Sequence, residues 1–173
     1  MFFRTNKAMA LRYPDGLAGL EAPLPKSLKK IIASGLVEID GCVYLKAMGK
    51  GNCAGSKKAK VKEVRAELVF PDRTGLECFE NKLHIEDYAY INTVETGVSF
   101  LREVSCLLRK HFPARKFRGI IGVSDYADVI LEPGYQPRGE IICDVRFHTL
   151  RAGETWLQDD LDIYNECVGV CDL

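Results

Sequence analysis

Residues 92–113 read NTVETGVSFLREVSCLLRKHFP, and this stretch decides how the rest of the chain is read. Val94, Val98, Leu101, Val104, Leu108 and Phe112 recur at helical intervals, so they line one apolar stripe. Asn92 and Glu95 fit an N-terminal capping pattern. Arg109, Lys110 and His111 fall in the last turn, where cations suit the helix dipole, and Pro113 stops the helix. The spacing predicts a helix over residues 93–112.

Downstream, strand patterns follow in close succession: FRGIIGV at 117–123, DVILE at 128–132 and EIICDVRFHT at 140–149. In the last of these Ile141, Cys143, Val145 and Phe147 share one face, and Asp144, Arg146 and His148 share the other, half-exposed one. The short connections favour an antiparallel meander. Thr155 and Gln158 form a capping box, Leu157, Leu161, Tyr164 and Val168 an apolar stripe, and Gly169 a C-cap, which predicts a helix over 156–168. Upstream, SLKKIIAS at 27–34 reads as a short helix capped by Ser27 and ended by Gly35. LVEIDGCVYLK at 36–46 reads as a hairpin turning on Asp40-Gly41. Residues 47–60 read as a glycine- and lysine-rich loop, 61–70 as a strand, and a short strand is expected near Leu83 to Ile85. The fold class is therefore α+β, a mixed or antiparallel sheet with the long helix packed across one face. A basic segment over 1–62 is expected to join an α+β core over 63–173 in one domain.

The chain has 173 residues, 24 Lys+Arg and 24 Asp+Glu, so its formal charge is zero. The balance hides a gradient. Residues 1–62 hold 12 Lys/Arg against 4 Asp/Glu, and residues 119–173 hold 3 against 11. If the fold keeps these ends apart, the protein carries a dipole: a polyanion suits one end, a basic partner or a metal the other. Seven cysteines, an odd number, with no signal-peptide pattern at the start point to free thiols in a reducing compartment, the cytoplasm. Cys167 and Cys171 could join Cys143 and His148 around zinc, but on a strand Cys143 and His148 point to opposite faces, so buried thiols are expected. No apolar run approaches the roughly 20 residues of a membrane span.

From residue 93 the expected order is helix, strand, strand, strand, helix, with Asp128 opening the second strand and Asp144-Val-Arg146 in the third. In this the chain resembles the PD-(D/E)xK superfamily, the restriction-endonuclease-like fold, over residues 93–168. The resemblance implies a metal-dependent nuclease site in which Asp128 and Asp144 hold Mg²⁺ and Arg146 stands where the motif has lysine. In such a site the cation polarises the scissile phosphate and lowers the pKa of a bound water. Arginine can hold a phosphate but cannot take a proton as a base. Ala127 also replaces the motif's proline, so the resemblance implies a nuclease-like site that is either active or degenerate.

Lys46, Lys50, Lys57, Lys58, Lys60 and Lys62 surround the glycine-rich loop, and Lys26, Lys29 and Lys30 mark the short helix. This pattern suits phosphate contacts and salt-dependent nucleic-acid binding. Two functions follow. One is a nucleic-acid-binding protein with a nuclease-like site. The alternative is a non-enzymatic protein-binding module, of the inhibitor or immunity type, whose acidic surface of Asp159, Asp160, Asp162 and Glu166 meets a basic partner.

Overall fold

The computed structural model describes residues 1–49, 70–126 and 141–173. In chain order the helices are α1 (Lys7–Arg12), α2 (Lys26–Ala33), α3 (Lys46–Gly49), α4 (Arg73–Glu80) and α5 (Thr93–His111). The strands are β1 (Phe3–Thr5), β2 (Leu36–Ile39), β3 (Cys42–Leu45), β4 (Leu83–His84), β5 (Phe117–Asp125), β6 (Ile141–Thr149) and β7 (Cys167–Asp172). Five of these build one sheet in the order β1-β7-β5-β6-β4 in which every pair is antiparallel. β2 and β3 form a separate hairpin. The α+β class holds.

α5 is the helix that the apolar stripe predicts. Val94, Val98, Leu101, Val104 and Leu108 are all buried. Its start differs in detail: Asn92 sits at the N-cap with a left-handed φ of 53° and makes no side-chain cap, while Thr93 Oγ1 donates to the Ala89 carbonyl. The helix lies on the sheet face made by Ile121 of β5 and Cys143 and Val145 of β6. Gly97 marks the closest approach. A Cβ there would stand 3.0 Å from Cys143 Sγ and 3.3 Å from Val145 Cγ1.

The opposite face carries Ile120, Val168 and Val170, packed with Cys78 of α4 and Leu161 and flanked by Trp156, Leu157 and Tyr164. The face with Asp144, Arg146 and His148 is therefore covered, and His148 is buried. The expected helix over 156–168 does not form. Residues Leu161–Ile163 form one 3-10 turn and the chain then enters β7. Leu157, Leu161 and Val168 do face the core, but as a cover and a strand. Thr155 Oγ1 donates to the Leu157 carbonyl, 2.6 Å away, instead of capping a helix. Gly169, read as a C-cap, sits mid-strand, where a Cβ would meet Leu17 at 3.0 Å and Ile121 at 3.1 Å.

The hairpin turn is as expected: Asp40 and Gly41 have φ of 52° and 78°, the doubly left-handed pair a tight two-residue turn requires. α2 begins at Lys26 behind Pro25, so Ser27 is inside the helix and not its cap. Lys46–Gly49 form α3, where the end of the hairpin run and the start of the 47–60 loop are expected. The strand expected over 61–70 lies outside the described residues except for Phe70, and that over 128–132 lies wholly outside them.

Asn6 ties the two ends of the chain together. Its Oδ1 accepts from Met9 N and Val168 N, and its Nδ2 donates to the carbonyls of Tyr164 and Glu166. With β1 paired to β7, the basic N-terminal segment contributes a strand to the main sheet.

Candidate functional site

Asp144 lies opposite Gly122 of β5 and beside His84 of β4. A Cβ at Gly122 would stand 2.8 Å from Asp144 Oδ1, so only glycine leaves room for the carboxylate over β5. Arg146, two residues along the same strand, donates from Nε to Asp144 Oδ2 at 2.9 Å and from Nη2 to the same oxygen. The guanidinium also stacks on Trp156, 5.6 Å from its ring centroid. Asp144 and Arg146 side chains are 19% and 14% exposed, so the pair is sheltered enough for the charges to hold each other. A divalent cation at Asp144 would have to compete with this fixed arginine. Asp128 lies outside the described residues, so its convergence with Asp144 on Mg²⁺ stays an expectation. Among the described residues no group of three or more His, Cys, Asp or Glu could hold a metal ion. Asp125, the last residue of β5, is held by a double hydrogen bond from Arg12 at 2.7 and 2.9 Å, which keeps its carboxyl below the usual range.

Among the described residues the most heavily bonded carboxylate is one that sequence reasoning missed. Glu77 of α4 is fully buried. It accepts from Val43 N at 2.5 Å, Thr149 N at 2.7 Å, Thr149 Oγ1 at 3.0 Å and Arg151 Nη1 at 2.7 Å. One turn on, Asn81 accepts from Leu45 N and donates to the carbonyls of Val43 and Phe147. These two side chains, four apart on one helix face, bind the inner edge of the β2–β3 hairpin to the end of β6. A polar pair at i, i+4 before a strand was the available signal, but the helix itself was not legible. These bonds, which join α4 to β3, to the end of β6 and to Arg151, give Glu77 a structural role.

Glu86 does similar work at the other end of β6. It accepts from Cys143 N and from His84 Nδ1, both at 3.0 Å, where β4 is too short to continue the ladder. Burial pushes its pKa up, but these hydrogen bonds outweigh burial and the carboxyl lies below its usual value.

Of the thiols, Cys42, Cys78, Cys143 and Cys171 are buried, whereas Cys167 is half-buried and Cys106 exposed. The six described cysteines are free. Cys143 is buried under α5 and its pKa is raised well above normal by burial; Cys171 is pushed up to about 12 for the same reason. His148 points to the opposite face and bonds the Thr149 carbonyl through Nδ1 at 2.9 Å. Cys143 and His148 therefore do not share a site.

The separation of charge is partial, because β1 pairs with β7 and Lys7 meets Asp162, so the start of the basic segment touches the acidic one. α2 packs on α5, on one side of the sheet, and the segment with Asp159 to Glu166 runs along the other. On α2, Leu28 is buried and Lys26, Lys29 and Lys30 are exposed on one face; Lys46 opens α3 against the end of α2, where Ala47 N donates to Ser34 Oγ. None of these four lysines is in an ion pair among the described residues. Lys50, Lys57, Lys58, Lys60 and Lys62 lie outside them. The acids are more engaged. Asp162 pairs with Lys7 at 3.2 Å and accepts its backbone N–H, and Asp160 caps the 3-10 turn through Asp162 N. Asp159 and Glu166 remain exposed. No helix among the described residues is long and apolar enough to cross a membrane.

Residues 4–173 match the model of the Uncharacterized protein PM0498 family. No curated protein and no solved structure matches the chain.

Proposed function

The chain belongs to the Uncharacterized protein PM0498 family along almost its whole length, and we propose that it is a cytoplasmic nucleic-acid-binding protein whose nuclease-like site is degenerate. The observation that supports this reading is the cluster of exposed lysines on α2 and α3, free of ion pairs among the described residues, running in sequence into five more lysines by residue 62. Uncompensated cations on one helix face are available to phosphates, and each contact releases counterions. The nuclease-like element fits a silent role. Arg146 already neutralises Asp144, and arginine cannot act as the base the motif lysine would supply.

The test is fluorescence anisotropy with a labelled oligonucleotide at low salt, comparing the wild type with a Lys26→Gln, Lys29→Gln, Lys30→Gln, Lys46→Gln variant. Binding by the wild type and a loss of about tenfold or more in the variant are expected from four lost phosphate contacts. Charge reversal at Asp159 and Asp160 should leave binding undiminished. Absence of binding by the wild type overturns the reading. Metal-dependent cleavage that disappears in Asp144→Ala would show the site to be active, not degenerate.

A further inference from the structure

We propose that the cleft between α2 and α5 binds a free α-amino acid with a large apolar side chain, a site independent of the nucleic-acid reading above. The cleft has a volume of about 450 Å³, within the roughly 300 to 1,000 Å³ of clefts that take small molecules. Its walls are two helix faces and a strap. Lys29, Ile32 and Ala33 stand at i, i+3 and i+4 on α2, and Ser99, Arg102 and Glu103 at the same spacing on α5. Residues 21–24, Glu-Ala-Pro-Leu, close the third side. The strap is fastened to α5: Ser99 Oγ accepts from Ala22 N at 3.0 Å, and Arg102 Nη2 donates to the Ala18 carbonyl.

The charges of the lining select the ligand. Glu21, Lys29, Arg102 and Glu103 are its ionisable residues, two of each sign, and none is in an ion pair among the described residues. Ser99 is 8% exposed, and its hydroxyl donates to no group among the described residues. Unlike charges that line one cleft without closing on each other leave room for a molecule that carries both signs. A nucleotide or other multiply charged anion would bring its phosphates against Glu21 and Glu103, whereas a zwitterion meets no such repulsion. Its carboxylate suits the remaining N–H donors of Arg102, the Ser99 hydroxyl and Lys29, and its ammonium suits Glu21 and Glu103. Apart from Ser99, the rest of the lining is apolar, with Ala22 buried and Leu24 and Ile32 half-buried. Covering that surface favours a side chain the size of leucine or phenylalanine.

Isothermal titration calorimetry of the full chain with L-leucine and L-phenylalanine tests the site. N-acetyl-L-leucine, which lacks the ammonium, L-leucinamide, which lacks the carboxylate, and adenosine monophosphate are titrated alongside. At least one of the two amino acids should bind saturably below about 10 mM. Loss of one charge-assisted contact corresponds to a drop of about tenfold or more, so both blocked forms of leucine should bind at least that much more weakly. Arg102→Gln and the double variant Glu21→Gln, Glu103→Gln should each weaken the amino acid by the same factor. Glu21 and Glu103 are exposed and make no hydrogen bond among the described residues, so the double variant folds. Its circular dichroism should match the wild type and its oligonucleotide binding should be undiminished. No saturable binding of either amino acid, with an oligonucleotide still bound, overturns the amino-acid site and leaves the nucleic-acid reading standing; loss of both overturns both. Equal binding of the blocked forms, unchanged affinity in the double variant, or tighter binding of the nucleotide also overturns the amino-acid site.

Discussion

Replacing Glu77 by alanine strikes the joint that holds the hairpin to the sheet. The carboxylate is wholly buried and takes four hydrogen bonds, and its ionic partner Arg151 is only 14% exposed. Removing it leaves a sheltered guanidinium with only Glu154, 4.0 Å away, as counter-charge, where loss of a buried partner costs about 3 to 5 kcal/mol. Val43 N and Thr149 N also lose their acceptor, at about 1 to 3 kcal/mol for each buried donor left bare. These costs overlap, because water or a shift of Arg151 toward Glu154 relieves part of them. A loss of about 5 kcal/mol is expected, comparable to the whole stability of a weak domain. In urea, with a slope of about 2 kcal/mol per molar, the midpoint should fall by about 2 M or more. Glu77→Gln keeps one acceptor but turns an amide N–H toward existing donors, so it should fall between the two. Replacing Glu77 and Arg151 together by methionine should cost less than Glu77→Met alone, since no charge is then stranded. A midpoint for Glu77→Ala within about 0.5 M of the wild type, at unchanged slope, would refute the reasoning.

Three further outcomes are expected. Gly97→Val forces two methyl groups between α5 and β6, where even a Cβ is 3.0 Å from Cys143 Sγ, so stability should drop by about 1 to 3 kcal/mol in chemical denaturation. Gly41→Ala places a Cβ at φ 78° in the hairpin turn, at about 1 to 2 kcal/mol, which calorimetry should register as a fall in Tm of roughly 2 to 8 °C. Burial holds the His148 pKa below its ordinary 6.5, despite the Thr149 carbonyl and Glu77, while Arg118 and Arg151 reinforce the effect. The unfolded chain therefore takes up the proton first as pH falls, and stability contributed by neutral His148 is lost below about pH 6.5. His148→Asn should lose less stability than the wild type between about pH 7 and pH 5, measured by urea midpoints; parallel curves would count against it.

The long helix, the strands β5 and β6 and the Asp40-Gly41 hairpin were legible because each rests on local rules: a stripe of period near 3.6, alternation of period two, and a turn dipeptide that tolerates positive φ. The direct pairing of β5 with β6 was not, because the expected meander through 128–132 sets those two strands apart. β7 was misread because Leu157, Leu161, Tyr164 and Val168 are apolar at intervals that a helix shares with a folded-back cover. What decides there is non-local: Asn6 accepts from Val168 N and draws the segment into the sheet beside β1. α4 was not legible. Glu77 and Asn81 lie on its buried face, where a helix normally shows apolar residues, and their partners on β3 and β6 are far away in sequence. Of the candidate site, the Asp144–Arg146 contact follows from strand parity, whereas the cover of Trp156 depends on tertiary packing.

The most direct measurement is the salt dependence of binding by the wild-type chain, as the slope of log K against log salt concentration between about 50 and 200 mM. Four phosphate contacts from Lys26, Lys29, Lys30 and Lys46 alone give a slope of about −3.6 on a duplex and about −2.8 on a single strand, and the remaining lysines steepen both. A flat slope, or no retention of any oligonucleotide at the lowest salt, contradicts the account.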